Sequence, residues 1–481
     1  MVAACDVDKA HLAKAVQENR RIGQTGSWQR SLAIFRKAAK IVRNGLIGDV
    51  TRVEVGLPDG NRNSGNEARS MNPSDPPPEL DYDMWIGPSQ MMPYIQLRTL
   101  LAACLLTSVL ATSARALTPA EADTAFRSLN QVYWDAATKF FRKEETGATK
   151  ADFWLEAQLW DTVMDQYDRT HSETVKQQVN DLYDGFMARY PDWTTNKYND
   201  DIMWWTIGCT RAYQITKADR YLKQAKTSFD FVYNTFCDTN LGGGIWWTSD
   251  RRSKNSCIES PAVIAAVRLS DLLNDASYFD KARSLYQWQK TTLTDGNGKV
   301  FDSLRLPRAR DTNTTAFSTN TSTKTTASTS TNRFANRNRN RSPLSTFSLT
   351  YNQGTYIGAS VLLYLKTRNP IYLAEAKKAA DWTKANLCTG TNQILKSENQ
   401  GDGGAFKGIF VRYMKLLVRD CGCKEYLPWM QANAETAWRN RRASDNIMGY
   451  DWSVPADRGI QSQSASSAVS LVLCFSDDAK N

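Results

Sequence analysis

Two adjacent carboxylates, Asp200 and Asp201, stand in the segment KYNDDIMWWTIGCTRAY (Lys197 to Tyr213), directly before Trp204 and Trp205. Paired acids suit glycosidic-bond cleavage, which needs one carboxylate ionised and one protonated, and a retaining mechanism places them about 5–5.5 Å apart. Neighbouring α-carbons are about 3.8 Å apart, so side chains diverging from a bend reach that separation. Adjacency also splits their protonation. The carboxylate nearer the helix N–H groups keeps its charge, and that charge raises the proton affinity of the other. The same pair also reads as a helix N-cap, because Asp favours that position and negative charge there suits the helix dipole. The spacing leaves both readings open.

Other chemistries are poorly supplied. Only two histidines occur, His11 and His171, which removes Ser-His-Asp triads and most histidine-built metal sites from the main body. No metal or cofactor is expected. The 15 tryptophans offer flat amphipathic faces on which sugar rings stack, although each is equally at home in a core. The formal charge of +10 points at first to nucleic acid. Its distribution argues otherwise. Arg305, Arg308, Arg310, Lys324, Arg333, Arg337, Arg339 and Arg341 face a single acid, Asp311, in one short stretch, and the remainder is nearly neutral.

Three segments differ in character. Residues 1–90 contain VAACDVD (Val2 to Asp8), a run from Ile22 to Gly60, and ELDYDMWIGP (Glu79 to Pro88). These pieces resemble the glucose–fructose-oxidoreductase-type dehydrogenase family. A dinucleotide site needs a glycine-rich strand-to-helix turn, and none precedes Asp6, so the segment is read as a partial, non-functional fragment. Residues 91–116 have the anatomy of a secretory signal peptide: Arg98, an apolar run from about Leu100 to Leu110, and Ala114-Arg115-Ala116. A secreted or cell-wall-associated product follows from that reading. The end after Cys474 lacks the apolar tail of a lipid-anchor signal, so no stable membrane anchor is expected.

The elements that must position the carboxylates are helical. In 152–169, Phe153, Trp154, Ala157, Trp160, Val163, Met164 and Tyr167 recur at spacings of three and four. Similar stretches at 119–141, 172–189, 201–215, 218–236, 258–273, 276–291, 352–367, 370–386, 405–418, 424–441 and 461–475 bring the number to twelve. An opening with Tyr followed by Leu or Phe recurs at Tyr221, Tyr278, Tyr372 and, more weakly, Tyr426, at intervals of 57, 94 and 54 residues. The long interval carries a Thr/Ser/Asn/Arg-rich tract, about 307–345, too polar to join a core. Asn313-Thr-Thr and Asn320-Thr-Ser there fit the N-glycosylation pattern. Six helical hairpins commonly close into an all-α (α/α)6 toroid, with an open solenoid as the other outcome of such a period. Seven cysteines follow the leader-like segment; in an oxidising compartment some should pair, and the odd number leaves at least one free.

Five motifs, in order, carry a more specific resemblance: YNDDIMWW (Tyr198 to Trp205), LGGGIWWTSDRRSKNSCIES (Leu241 to Ser260), TYNQGTYIGA (Thr350 to Ala359), FKGIFVRY (Phe406 to Tyr413) and WRNRRASDNIMGYDWS (Trp438 to Ser453). Residues 118–481 resemble glycoside hydrolase family 76, the endo-α-1,6-mannanases and their fungal wall-remodelling relatives. The resemblance implies an (α/α)6 barrel over 117–481, α-mannan as substrate, and a retaining double displacement with Asp200 as nucleophile and Asp201 as acid/base. Transglycosylation and a non-catalytic mannan-binding module are the alternatives. Cleft-lining roles are expected for Trp204, Trp205, Trp246 and Trp247 as stacking faces, and for Asp250, Arg251, Tyr351, Asn352, Gln353 and Lys407 as polar partners. Gly242, Gly243 and Gly244 would permit close backbone approach.

Overall fold

Helix α1 (Pro119–Tyr133) starts where Thr118 and Glu121 form a capping box, each satisfying a backbone N–H that the first turn leaves unpaired. It belongs to a computed structural model that describes residues 115–306 and 343–477. The oxidoreductase-like fragment, nearly all of the leader-like segment and both glycosylation sites lie outside the described residues.

Eleven further α-helices follow among the described residues: α2 (Phe153–Thr170), α3 (Glu173–Arg189), α4 (Asn199–Thr216), α5 (Asp219–Phe236), α6 (Ser256–Leu273), α7 (Ala276–Thr292), α8 (Thr350–Thr367), α9 (Pro370–Asn386), α10 (Asp402–Arg419), α11 (Leu427–Arg439) and α12 (Ser462–Phe475). The first stretch ends early. A helix over 119–141 was expected, but Trp134–Asp135 (β1) pairs with Phe140–Phe141 (β2). The Asp135 carboxylate accepts from the Ala137 N–H at 3.1 Å, a local side-chain bond that competes with helix continuation.

The helices sort into two layers. Within the inner layer, α2 packs on α4, α4 on α6, α6 on α8, α8 on α10, α10 on α12, and α12 returns to α2. That last contact closes the ring and makes the fold an (α/α)6 toroid; a solenoid would leave α2 and α12 apart. Close inner packing depends on small residues. A Cβ at Gly354 of α8 would stand 2.5 Å from the Phe410 Cα of α10, inside any tolerable contact. Helix α12 is buried along its whole length, so its sequence SQSASSAVSLVLCF shows no exposed face.

The recurring tyrosines tie the outer layer together. Tyr221 of α5 donates its hydroxyl to Asn180 of α3 at 2.7 Å, and Tyr278 of α7 donates to Asp230 of α5 at 2.8 Å. Tyr372 of α9 packs edge-on against Tyr286 of α7, and Tyr426 donates to Asp381 of α9 at 2.9 Å. Each repeat therefore leans on the preceding one.

The polar tract ends sooner than its composition implied. Leu344–Ser345 (β5) pairs antiparallel with Ser303–Arg305 (β4), which pairs in turn with Ser253–Asn255 (β3). A further two-stranded sheet joins Cys388–Thr389 (β6) to Ile394–Leu395 (β7). The seven described cysteines are all free thiols, against the expected partial pairing.

Candidate active site

Five of the six inner helices begin at the rim of one cavity of about 770 Å³. Its lining takes Trp154 from α2, Asp200, Asp201 and Trp204 from α4, Cys257 from α6, Tyr351 from α8, and Asp402 and Phe406 from α10. Helix N-termini carry unpaired N–H groups and the positive end of the helix dipole, which suits the acidic side chains in these first turns, Asp200 and Asp201 on α4 and Asp402 on α10.

Asp200 and Asp201 occupy the first turn of α4, and the capping position belongs to Tyr198. The N-cap reading is therefore wrong for both. Asn199, fully buried ahead of them, locks this turn to the loop that follows α5: its N–H donates to the Trp247 carbonyl at 2.9 Å and its amide to the Trp246 carbonyl at 2.7 Å. The result is that Trp247 Nε1 donates to Asp200 Oδ1 at 2.9 Å. Asn196 Nδ2 donates to Asp201 Oδ2 at 3.1 Å.

Burial raises both carboxyls above the ordinary carboxylate range. For Asp200 it is opposed by the Cys257 thiol, the Trp247 indole and the N–H groups of the first turn, all of which favour the anion. For Asp201 the charge of Asp200 adds to burial, the Asn196 amide opposes, and the carboxylates of Asp402 and Asp152 add further. Asp201 is consequently the more strongly raised of the two. One carboxyl with donors and one with acids around it is the asymmetry that an ionised and protonated pair needs.

Of the other expected lining residues, Trp204, Trp247 and Tyr351 reach the cavity, the last stacked on Phe406 with centroids 4.0 Å apart. The rest lie elsewhere. Trp205 turns outward into the core, its ring 3.5 Å from that of Phe186 and its N–H on the Phe153 carbonyl. Trp246 is 2% exposed and donates to Asp238 at 2.7 Å. Asp250 accepts from Thr248 and Arg252, and Arg251 donates to the Thr235 carbonyl at 2.8 Å. Gln353 is a strut: it accepts from the Val300 N–H at 2.7 Å and donates to the Gly298 carbonyl at 3.0 Å. Asn352 is fully buried and lines no part of the cavity. Lys407 donates to the Tyr450 carbonyl at 2.7 Å, 3.9 Å over the Trp452 ring, and its burial pushes the ammonium down to about 7.

The glycines also serve the scaffold. A Cβ on Gly244, at φ +82°, would meet Glu259 and Trp288 within 2.7 Å, so the close approach is to protein. Buried Lys254 finishes the turn, donating to the carbonyls of Asp238, Asn240, Gly243 and Gly244 and to the Asp238 carboxylate. Sequence reasoning missed Trp154, Asn255, Cys257, Asp302, Arg305 and Asp402 as lining residues. A signal was present for three of them. In a barrel of alternating inner and outer helices, residues starting every second helix share one mouth, and Trp154, Cys257 and Asp402 do so.

Among the described residues no group of His, Cys, Asp and Glu could hold a metal ion, and no helix is long and apolar enough to cross a membrane. No curated protein matches the chain. Solved structures do. An alpha-1,6-mannanase from Salegentibacter sp. is similar at 28% identity over 74% of this chain and 98% of that one, with a TM-score of 0.64. An inactive variant of that enzyme, with two adjacent aspartates replaced by asparagine and alpha-1,6-mannotriose bound, is similar at 27% identity over the same shares, with a TM-score of 0.63. Dfg5 from Chaetomium thermophilum, solved with glucosamine, shares the fold at 13% identity over 74% of this chain and 88% of that one, with a TM-score of 0.58. Residues 118–332 and 327–477 match Glycosyl hydrolase family 76, while the matches lend no support to the oxidoreductase resemblance upstream. With three quarters of its length matched, in a toroid whose inner helices converge on paired acids, the chain belongs to glycosyl hydrolase family 76 and is a glycoside hydrolase.

Proposed function

We propose that the protein is a secreted retaining endo-glycosidase that hydrolyses α-1,6-mannosidic bonds in mannan or cell-wall glycans. The observation that carries this reading is the pair Asp200 and Asp201 at one open cavity, with donors on the first and additional acids around the second. The relatives support the substrate, since the Salegentibacter enzyme is an alpha-1,6-mannanase and its double-asparagine variant is inactive with alpha-1,6-mannotriose bound. The leader-like sequence at 91–116 supports secretion.

In the first step Asp200 attacks the anomeric carbon, forming an ester bond to the sugar as the glycosidic C–O bond breaks. Asp201 gives its proton to the leaving oxygen. As the Asp200 charge is consumed, the repulsion that held the Asp201 proton disappears, so the second carboxyl becomes a better acid during the step that needs one. In the second step ionised Asp201 takes a proton from water, the hydroxide oxygen attacks the anomeric carbon, and Asp200 leaves as carboxylate. Trp154, Trp204 and Trp247 border the path of the chain and offer stacking faces, and Asn255 Oδ1, without a hydrogen-bond partner among the described residues, offers an acceptor for a sugar hydroxyl.

The test is reducing-end release from linear α-1,6-mannan by the wild type, Asp200→Asn and Asp201→Asn, with the anomer of the first product read by proton NMR. Retention, with loss of about 10³-fold or more in either variant, is the expected result. Equal rates in the three proteins, or an inverted first product, would remove the assignment. Products longer than the substrate, sized by mass, would move it to transglycosylation.

A further inference from the structure

The two ends of the toroid are chemically different. The inner helices that start at the catalytic mouth run away from it, and the later parts of α2, α4, α6 and α10 enclose a second, smaller cavity of about 200 Å³. Asp161, Asp165 and Asp168 line it together with four cations, Arg211, Arg268, Arg412 and Lys415.

The three carboxylates are already taken. Arg211 bridges Asp161 at 2.7 Å, Asp165 at 3.0 Å and Asp168 at 2.9 Å. Arg412 donates to the other oxygen of Asp165 at 2.6 Å, and Lys415 stands 3.7 Å from Asp168. Arg268 is left over. Among the described residues its guanidinium makes a single hydrogen bond, a long one of 3.4 Å to Thr210 Oγ1, and no carboxylate lies within salt-bridge distance. Tyr413, 7% exposed and lining the same cavity, has a hydroxyl with no hydrogen-bond partner among the described residues.

Arg268 is half-buried, and an arginine with free donors at a cavity wall and no carboxylate at salt-bridge distance favours an added counter-charge. Compensation of a helix C-terminus does not account for it. The dipole acts within the last turn, and Arg268 lies five residues before Leu273, the end of α6. The planar guanidinium fork matches a tetrahedral or planar oxyanion. A cavity of this volume admits such an ion and excludes an oligosaccharide.

We propose that this second cavity is a binding site for a small oxyanion of the phosphate or sulfate type, held by Arg268 with the Tyr413 hydroxyl as second donor. The site is separate from the mannan-cleaving machinery and stands whether or not the substrate assignment does. A bound anion would join α6 to α10 at the end of the barrel away from catalysis, so its first effect is on stability.

The experiment is calorimetric titration and thermal unfolding of the full chain with inorganic phosphate and with sulfate, at ionic strength held constant with chloride. Wild type and Asp200→Asn should both show a saturable rise in melting temperature in the millimolar range. Tyr413→Phe, which keeps the ring and its packing, should weaken binding several-fold, and Arg268→Met at least tenfold. A saturable shift that survives unchanged in both Arg268→Met and Tyr413→Phe would place the ion elsewhere and overturn the proposal. So would the lack of any saturable shift in the wild type.

Discussion

Trp247 Nε1 donates to Asp200 Oδ1 at 2.9 Å, although 47 residues separate them in the chain. The bond exists because Asn199 fastens the loop carrying Trp247 to the first turn of α4. On the proposed mechanism it is a donor placed on the carboxyl that attacks as an anion.

Trp247→Phe keeps an aromatic ring and removes that donor. A hydrogen bond to a charged group contributes about 1.5–3 kcal/mol, so kcat/KM on α-1,6-mannan should fall roughly 10- to 100-fold. Because the donor favours ionised Asp200, its loss raises the carboxyl further. The acid limb of the pH profile should therefore move to higher pH, and an unmoved limb would show that the bond does not tune Asp200.

Asp402→Asn addresses the second carboxyl. The charge of Asp402 helps hold Asp201 protonated, so neutralising it should move the basic limb of the pH–rate profile to lower pH while leaving the acid limb in place. Trp154 donates to Asp402 Oδ1 at 3.2 Å, a contact the asparagine oxygen can keep, so folding should be unaffected. Circular dichroism melts of both proteins check that.

Asp200→Asn should stabilise the fold above neutral pH. The folded-state carboxyl is raised above its unfolded value, so its contribution is fully present below the unfolded value and is lost as pH rises through the folded one. The amide has no such loss. Each pKa unit is about 1.4 kcal/mol, and urea unfolding should show a gain of roughly a few kcal/mol at pH 9 that vanishes at pH 4. A constant difference across that range would mean that packing, not ionisation, separates the two proteins.

Lys254→Met tests the turn behind Trp247. The ammonium is completely buried and serves four carbonyls and the Asp238 carboxylate, so its removal should cost about 3–5 kcal/mol in urea unfolding. Activity of the residual folded protein should fall as well, because the turn sets the position of the Trp247 loop. A fully stable and active variant would contradict this account.

Much of the architecture is legible in the sequence. Spacings of three and four revealed twelve helices, and the interval between Tyr221, Tyr278, Tyr372 and Tyr426 exposed the repeat that the outer-layer contacts later explained. The early end of α1 escaped detection because the aromatic residues between Tyr133 and Phe141 suit a hairpin as well as a helix, and the choice fell to the Asp135 turn. Ring closure was also out of reach, since a period describes each unit and its neighbour but not whether the last unit meets the first.

By itself, then, the chain determined which segments are helical, that they pair, and where two acids sit side by side. Only the tertiary structure decided which aromatic and polar side chains meet those acids. Trp204 and Trp205 are adjacent, but one helical step turns the first toward the cavity and the second into Phe186 and Trp160. An inner helix is buried nearly all round, so its hydrophobic pattern carries no arrow toward the cleft. The loop between α5 and α6 shows the same limit: Trp246 and Trp247 are equivalent as letters, and the Asn199 contacts with their carbonyls settle which indole faces Asp200.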